Sequence, residues 1–227
     1  MKKILIIAAH PDDEVLGCGG LLSKMQNNKV DIKVLFIGEG SSCRHDDPLS
    51  TESIKDIEER NNFAINALKF LGIDDIEFNN LPCGRLDMTP IIEINKIIEN
   101  SIKSFKPDTI FTHSHKDANN DHKIISKSTL MATRPCNQHN VNKIYSYEVL
   151  SSSEWHYIDS FNPNIFIEIS EKDVVNKIKA MEIYESEIRP YPFPRSSVSI
   201  RALCMRRGVQ SGTNFAEAFS LIREFIK

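Results

Sequence analysis

The chain has 227 residues, with 28 basic and 31 acidic side chains and a net charge of −3. That length suits one α/β domain over residues 1–227 with a proper core, and the near-balanced, well-mixed charge excludes the basic footprint of a nucleic-acid binder. No apolar run approaches the roughly 18 residues of a membrane span. The apolar stretch 4–9 is too short for a signal-peptide core before the charges begin, so the expected location is the cytoplasm.

Residues 2–9, KKILIIAA, form a continuous apolar run of the kind expected of a central parallel strand. A helix over 14–28 follows, with Val15, Leu16, Leu22 and Met25 available for one face. Residues 29–40 read as a second strand, ending in a polar loop to about residue 50. The long helix at 51–73 has Ile54, Ile57, Ala64, Ala67, Leu68 and Leu71 near helical spacing and Gly72 as its stop. A third strand spans 75–82, and Pro90 opens a helix over 91–105. The fourth strand is 107–114, a helix follows at 121–133, and the fifth strand is 143–150. Residues 151–170 are less regular and hold shorter strands; two helices, 171–187 and 214–226, close the chain. The proline-rich stretch 189–197 reads as an ordered loop over the site.

This alternation predicts an α/β fold: a Rossmann-like, doubly wound, mostly parallel sheet of order about 3-2-1-4-5, flanked by helices, with a less regular C-terminal part. The five cysteines, Cys18, Cys43, Cys83, Cys136 and Cys204, are odd in number and contain no C-x-x-C pair. They read as reduced packing residues rather than a disulfide framework or a cysteine zinc site.

Two segments concentrate the ionisable residues: His10-Pro-Asp12-Asp13-Glu14 after the first strand, and HSHKDANNDH, 113–122, after the fourth. In a 3-2-1-4-5 sheet these strands are neighbours at the topological switch point, where ligands bind at carboxyl ends. Imidazole and carboxylate together form a ligand set for zinc or another divalent ion, without thiolate. Gly17, Gly19 and Gly20 do not make a dinucleotide loop, because the third glycine position holds Leu22 and three acids at the turn repel a pyrophosphate. Close packing of the helix on the sheet explains them better.

AHPDDEVLGCGG resembles the signature of the PIG-L/LmbE-like zinc-dependent N-deacetylases. Asp121-His122 is similar to the later DH motif of that family. Agreement extends to Arg60 with Ala67, Leu71 and Gly72, to LPCGRLD at 81–87, and to KAMEIYESE at 179–187. The resemblance implies that His10, Asp13 and His122 bind one zinc ion, with another divalent metal as the alternative. It further implies that Asp12 is the general base toward the attacking water. Glu14 would serve the helix N-terminus, and Asp121 would orient a ligand histidine.

Many relatives carry H-P-D-H, whose first histidine is suited to support the oxyanion or to protonate the leaving amine; this chain has Asn119 there, and His113, His115 and Asp117 are the nearby residues that could compensate. Phe63 stands where relatives often have glutamate. For substrate contacts the resemblance points to Arg60, Asp87, Arg195, Arg206 and Glu217. The implied activity is hydrolysis of the N-acetyl group of an N-acetylated amino sugar or conjugate, a small-molecule partner. The alternative, favoured by Asn119, is a metal-dependent sugar-binding or regulatory module with little turnover. A homo-oligomer is left open.

Overall fold

The first strand, β1 (Lys3–Ala8), is buried on both faces and sets a two-sided architecture. Ile4, Ile6 and Ala8 enter one apolar cluster, Leu5, Ile7 and Ala9 the other, following the two-residue period of a strand. In the computed structural model, which describes residues 1–26, 28, 30–135 and 141–226, the first cluster packs under α1 (Asp13–Met25), α2 (Thr51–Phe70) and α5 (Glu171–Glu182). The second packs under α3 (Ile91–Phe105) and α4 (Asn120–Ala132).

Among the described residues seven strands form one sheet: β1, β2 (Asp31–Gly38), β3 (Asp75–Leu81), β4 (Thr109–His113), β5 (Lys143–Tyr147), β6 (Ile165–Glu168) and β7 (Ala216–Glu224). Their order is β3-β2-β1-β4-β5-β7-β6. The pairs from β3 through β5 are parallel, as the sequence predicts, with Ile4 opposite Thr109 and Ile32. Among the described residues no helix is long and apolar enough to cross a membrane.

The C-terminal region departs from expectation. Residues 214–226 are not a helix; they supply β7, which pairs antiparallel with both β5 and β6. Phe215, Phe219, Leu221, Ile222 and Phe225 recur at spacings that mimic a helical face, but Ala216, Ala218 and Phe219 are buried inside the sheet. Tertiary pairing overrides local periodicity here. The closing helix is instead α6 (Ser197–Ser211), begun by the Ser196 side chain accepting from Ser199 N–H and ended by Gly212 at φ 74°.

Close packing explains the glycines of α1. A Cβ on Gly17 would lie 2.3 Å from Tyr147 Cδ2, and one on Gly20 would lie 2.7 Å from Ile169 Cδ1. A Cβ on Gly19 would lie 2.9 Å from Lys177 Cγ and one on Gly20 3.0 Å from Glu217 Cδ, so the bare backbone makes room for the buried ion pair Lys177–Glu217, with Nζ and Oε1 2.6 Å apart. Lys177 donates to Leu16 O, and Glu217 accepts from Gly20 and Leu21 N–H.

Candidate active site

The carboxyl ends of β1 and β4 meet as the switch-point geometry requires. His10 follows β1, Asp13 opens α1, and His122 lies in the first turn of α4. Asp13 Oδ2 lies 3.5 Å from His10 Nδ1 and 3.4 Å from His122 Nε2, and also accepts from His10 N–H at 2.8 Å. All three residues are buried and could hold a metal ion.

The other nitrogen of each imidazole has a partner. His10 Nε2 lies 2.9 Å from Asp121 Oδ2, and His122 Nδ1 lies 3.2 Å from Asp117 Oδ1. Each carboxylate calls for a proton on the nitrogen it faces, leaving His10 Nδ1 and His122 Nε2 as the lone pairs turned toward Asp13. The residues therefore fit a divalent ion. Asp121 is itself held by Gly84 N–H at 2.6 Å and Leu86 N–H at 3.2 Å. Asp117 accepts from the Ser152 and Ser153 hydroxyls.

Electrostatics favour positive charge at this point. Burial opposes charge on His122, but Asp13 and Asp117 push it up to about 10. Burial likewise opposes charge on His10, yet Asp121 and Asp13 raise it above its ordinary value. Burial disfavours the Asp13 carboxylate, but His122 and His113 hold it well below the usual range. Protons and a metal ion compete for the same imidazole nitrogens.

Asp12 occupies the strained turn between strand and helix, at φ 119°. Its Oδ2 lies 3.0 Å from both Arg60 Nη2 and Arg195 Nη1. Burial pushes this carboxyl up, opposed by Arg195 and Arg60. Arg60 also donates to Pro11 O and Gly40 O, which binds α2 to the loop that carries His10 and Asp12. Glu14 turns back to accept from Asp12 N–H and takes a second hydrogen bond from the Tyr184 hydroxyl. That agrees with a role at the helix start.

A cavity of about 160 Å³ collects His10, Asp12, Asp13, Asn119, His122, Arg60 and Arg195. A groove of about 460 Å³ adjoins it, sharing Arg44, Ser151 and Arg195 and adding Trp155, Arg189 and Phe193. Asn119 caps α4, its carbonyl oxygen accepting from Asp121 N–H. What it can offer the cavity is its NH₂ group.

The sequence matches the family PIG-L: GlcNAc-PI de-N-acetylase over residues 5–133, more than half of the chain. The chain belongs to this family. Among its relatives is an uncharacterized deacetylase, YaiS, of Escherichia coli strain K12. It is 29% identical over 189 residues, covering 82% of this chain and 91% of that one. A diacetylchitobiose deacetylase of Thermococcus kodakarensis is 23% identical over 233 residues, 98% of this chain and 84% of that one. These PIG-L relatives indicate a hydrolase of the N-deacetylase kind. The fold extends further. A 4-carboxy-2-hydroxymuconate hydratase of Pseudomonas putida KT2440 superposes with a TM-score of 0.78 at 19% identity, covering 100% of this chain and 98% of that one. The fold by itself therefore does not choose the reaction.

Several residues expected at the site lie elsewhere. Glu217 is spent on Lys177 and the α1 backbone. Asp87 is exposed in the turn Leu86–Met88 and does not line the cavity. Arg206 borders a different cavity, of about 390 Å³, beside Phe161 and Glu148. His115 is exposed. His113 is buried behind the site, its ring 3.9 Å from that of His122, with Nε2 accepting from Ala9 N–H. Burial and His122 lower its pKa to about 3.

Glu187 was not singled out by sequence reasoning. It binds Arg44, Arg60 and Arg195 together, and those contacts prevail over burial to hold its carboxyl at about 2. Its only sequence signal is its place at the end of KAMEIYESE.

Proposed function

We propose that the chain is a zinc-dependent hydrolase that removes the N-acetyl group from an N-acetylated amino sugar or amino-sugar conjugate. The observation that carries this reading is the convergence of two imidazole nitrogens and the Asp13 carboxylate beside a cavity that Asp12 also lines. Two nitrogens and one oxygen suit zinc, and three protein ligands leave a position open. When bound, such an ion supplies Lewis acidity toward a carbonyl oxygen and a water.

Asp12 takes the proton from the attacking water, and Arg60 and Arg195 fix the carboxylate that receives it. Asn119 can donate a hydrogen bond to the developing oxyanion but cannot give up a proton. The proton held by Asp12 is then the one returned to the leaving amine. The groove along Trp155 and Phe193 has room and aromatic surface for the part of a conjugate beyond the acetylated sugar.

Acetate release across N-acetylhexosamine conjugates, paired with metal analysis, tests the reading. Release should require the metal, and Asp12→Asn with metal retained should lose on the order of 10²–10⁴-fold in rate. Near-wild-type turnover by that variant would remove Asp12 from its role. Tight sugar binding without acetate release would instead support a binding module, the reading that Asn119 favours.

A further inference from the structure

Two of the five cysteines meet at the rim of the cavity. Cys43 lies in the turn Ser42–Arg44 after β2, and Cys83 follows β3, 40 positions later. Their sulfurs are 3.2 Å apart, Cys43 exposed and Cys83 buried, and both border the cavity with His10. One buried carboxylate ties the two loops together. Glu39 accepts from Ser41 and Ser42 N–H on one side and from Cys83 N–H on the other. The loops touch again at Gly84, where a Cβ would stand 3.3 Å from Cys43 Cβ.

A disulfide needs its sulfurs about 2.05 Å apart. The loops must therefore close by roughly 1 Å, or the side chains must turn, and Gly84 is bonded directly to Cys83. Gly84 N–H is the 2.6 Å donor to Asp121, whose same oxygen holds His10. A shift of Gly84 lengthens or bends that bond and loosens the ring it steadies.

We propose that Cys43 and Cys83 are an oxidation site on the cavity wall, converted to a reversible disulfide by a small-molecule disulfide, and that this bond, given the metal site proposed above, weakens metal retention through Gly84, Asp121 and His10. The Cys43 thiolate attacks one sulfur of the oxidant, forming a mixed disulfide and expelling one thiolate. That thiolate takes the proton of Cys83, whose sulfur then attacks Cys43 and expels the second thiolate. Two protein thiols and one disulfide give one protein disulfide and two small thiols. Cys43 is the attacking partner because it is exposed; the hydrogen bond from Cys83, with Arg44 nearby, holds its thiol down to about 6. Cys18 and Cys204 are buried and serve as internal controls.

The test treats the metal-loaded chain with oxidised glutathione, blocks free thiols and maps peptides without reduction. The expected product joins Cys43 to Cys83 and is reversed by reduced glutathione. Cys83→Ser should instead retain glutathione on Cys43. Metal release to a chromophoric chelator should quicken by about tenfold after oxidation, the size of effect seen when the support of a ligand is disturbed. Absence of the Cys43–Cys83 peptide in the wild-type chain overturns the site, even if Cys83→Ser fails to fold. A formed crosslink with unchanged metal release overturns the connection to His10.

Discussion

Replacing Asp121 by asparagine isolates what the carboxylate does for the metal centre. One oxygen of Asp121 serves both Gly84 N–H and His10 Nε2, and the other serves Leu86 N–H. Asparagine has only one oxygen. Placed toward His10, it sets its NH₂ against Leu86 N–H and strands a buried donor, at about 1–3 kcal/mol. Placed toward Leu86, it sets its NH₂ against His10 and draws the imidazole proton onto Nδ1, where a ligand lone pair is needed. Either arrangement weakens the metal site, and loss of supporting hydrogen bonds of this kind costs about 10–100-fold in metal affinity. That corresponds to about 1.4–2.7 kcal/mol. Equilibrium competition with a chromophoric chelator reads the affinity, and circular dichroism of the metal-free chain reads the fold. A folded Asp121→Asn variant whose zinc affinity stays within about twofold of wild type would refute the reasoning.

Three further outcomes follow from the packing and charge around the site. Gly17→Ala drives a methyl to 2.3 Å from the Tyr147 ring and should cost about 1–3 kcal/mol, read as a melting temperature several degrees lower; an unchanged melting temperature contradicts the close packing. Lys177→Met leaves Glu217 buried without its cation and should destabilise by about 3–5 kcal/mol in denaturant titration. The paired change to Lys177→Met with Glu217→Gln should recover much of that loss. Glu187 is depressed to about 2 from its ordinary 4.5, so between those values the carboxyl carries fewer protons in the folded chain than in the unfolded one. Its contribution is present above about pH 4.5 and lost as pH falls toward 2. Glu187→Gln should flatten the acid limb of stability across that window, and an unaltered limb would deny the arginine cluster its role.

The parallel half of the sheet was legible because each of its strands is a short apolar run separated from the next by a helix. Residues 3–8, 31–38, 75–81, 109–113 and 143–147 all fall inside their expected segments. The meeting of the His10 and His122 segments followed from strand order. By contrast, spacing alone could not rank Asp12 against Asp13; what distinguishes them is that Asp13 faces three imidazoles, of His10, His113 and His122, while Asp12 faces two guanidinia. Glu187 and Arg60 are 127 positions apart, a separation at which local pattern carries no signal. The two thiols near the cavity were hidden for the same reason. Ser196 and Gly212 bracket the helix α6 as cap and stop, but the three prolines just before it are the stronger local signal and read as a loop.

The place of β7 has a consequence for how the sheet assembles. This strand comes last in sequence, yet it lies sixth in the seven-strand order, between β5 and β6. Among the described residues β6 reaches the sheet only through it, and Glu217 at its start grips the helix that begins with Asp13. Pairings such as Tyr147 with Phe219 close a long loop before they are rewarded. The parallel pairs β1–β2, β2–β3 and β4–β5 join strands that are neighbours in the chain, whereas the anchoring of α1 by Glu217 spans 197 positions and waits for the longest closure. In refolding, protection of the amides of Gly20 and Leu21 should rise together with that of β7, after the β1–β2 ladder has formed.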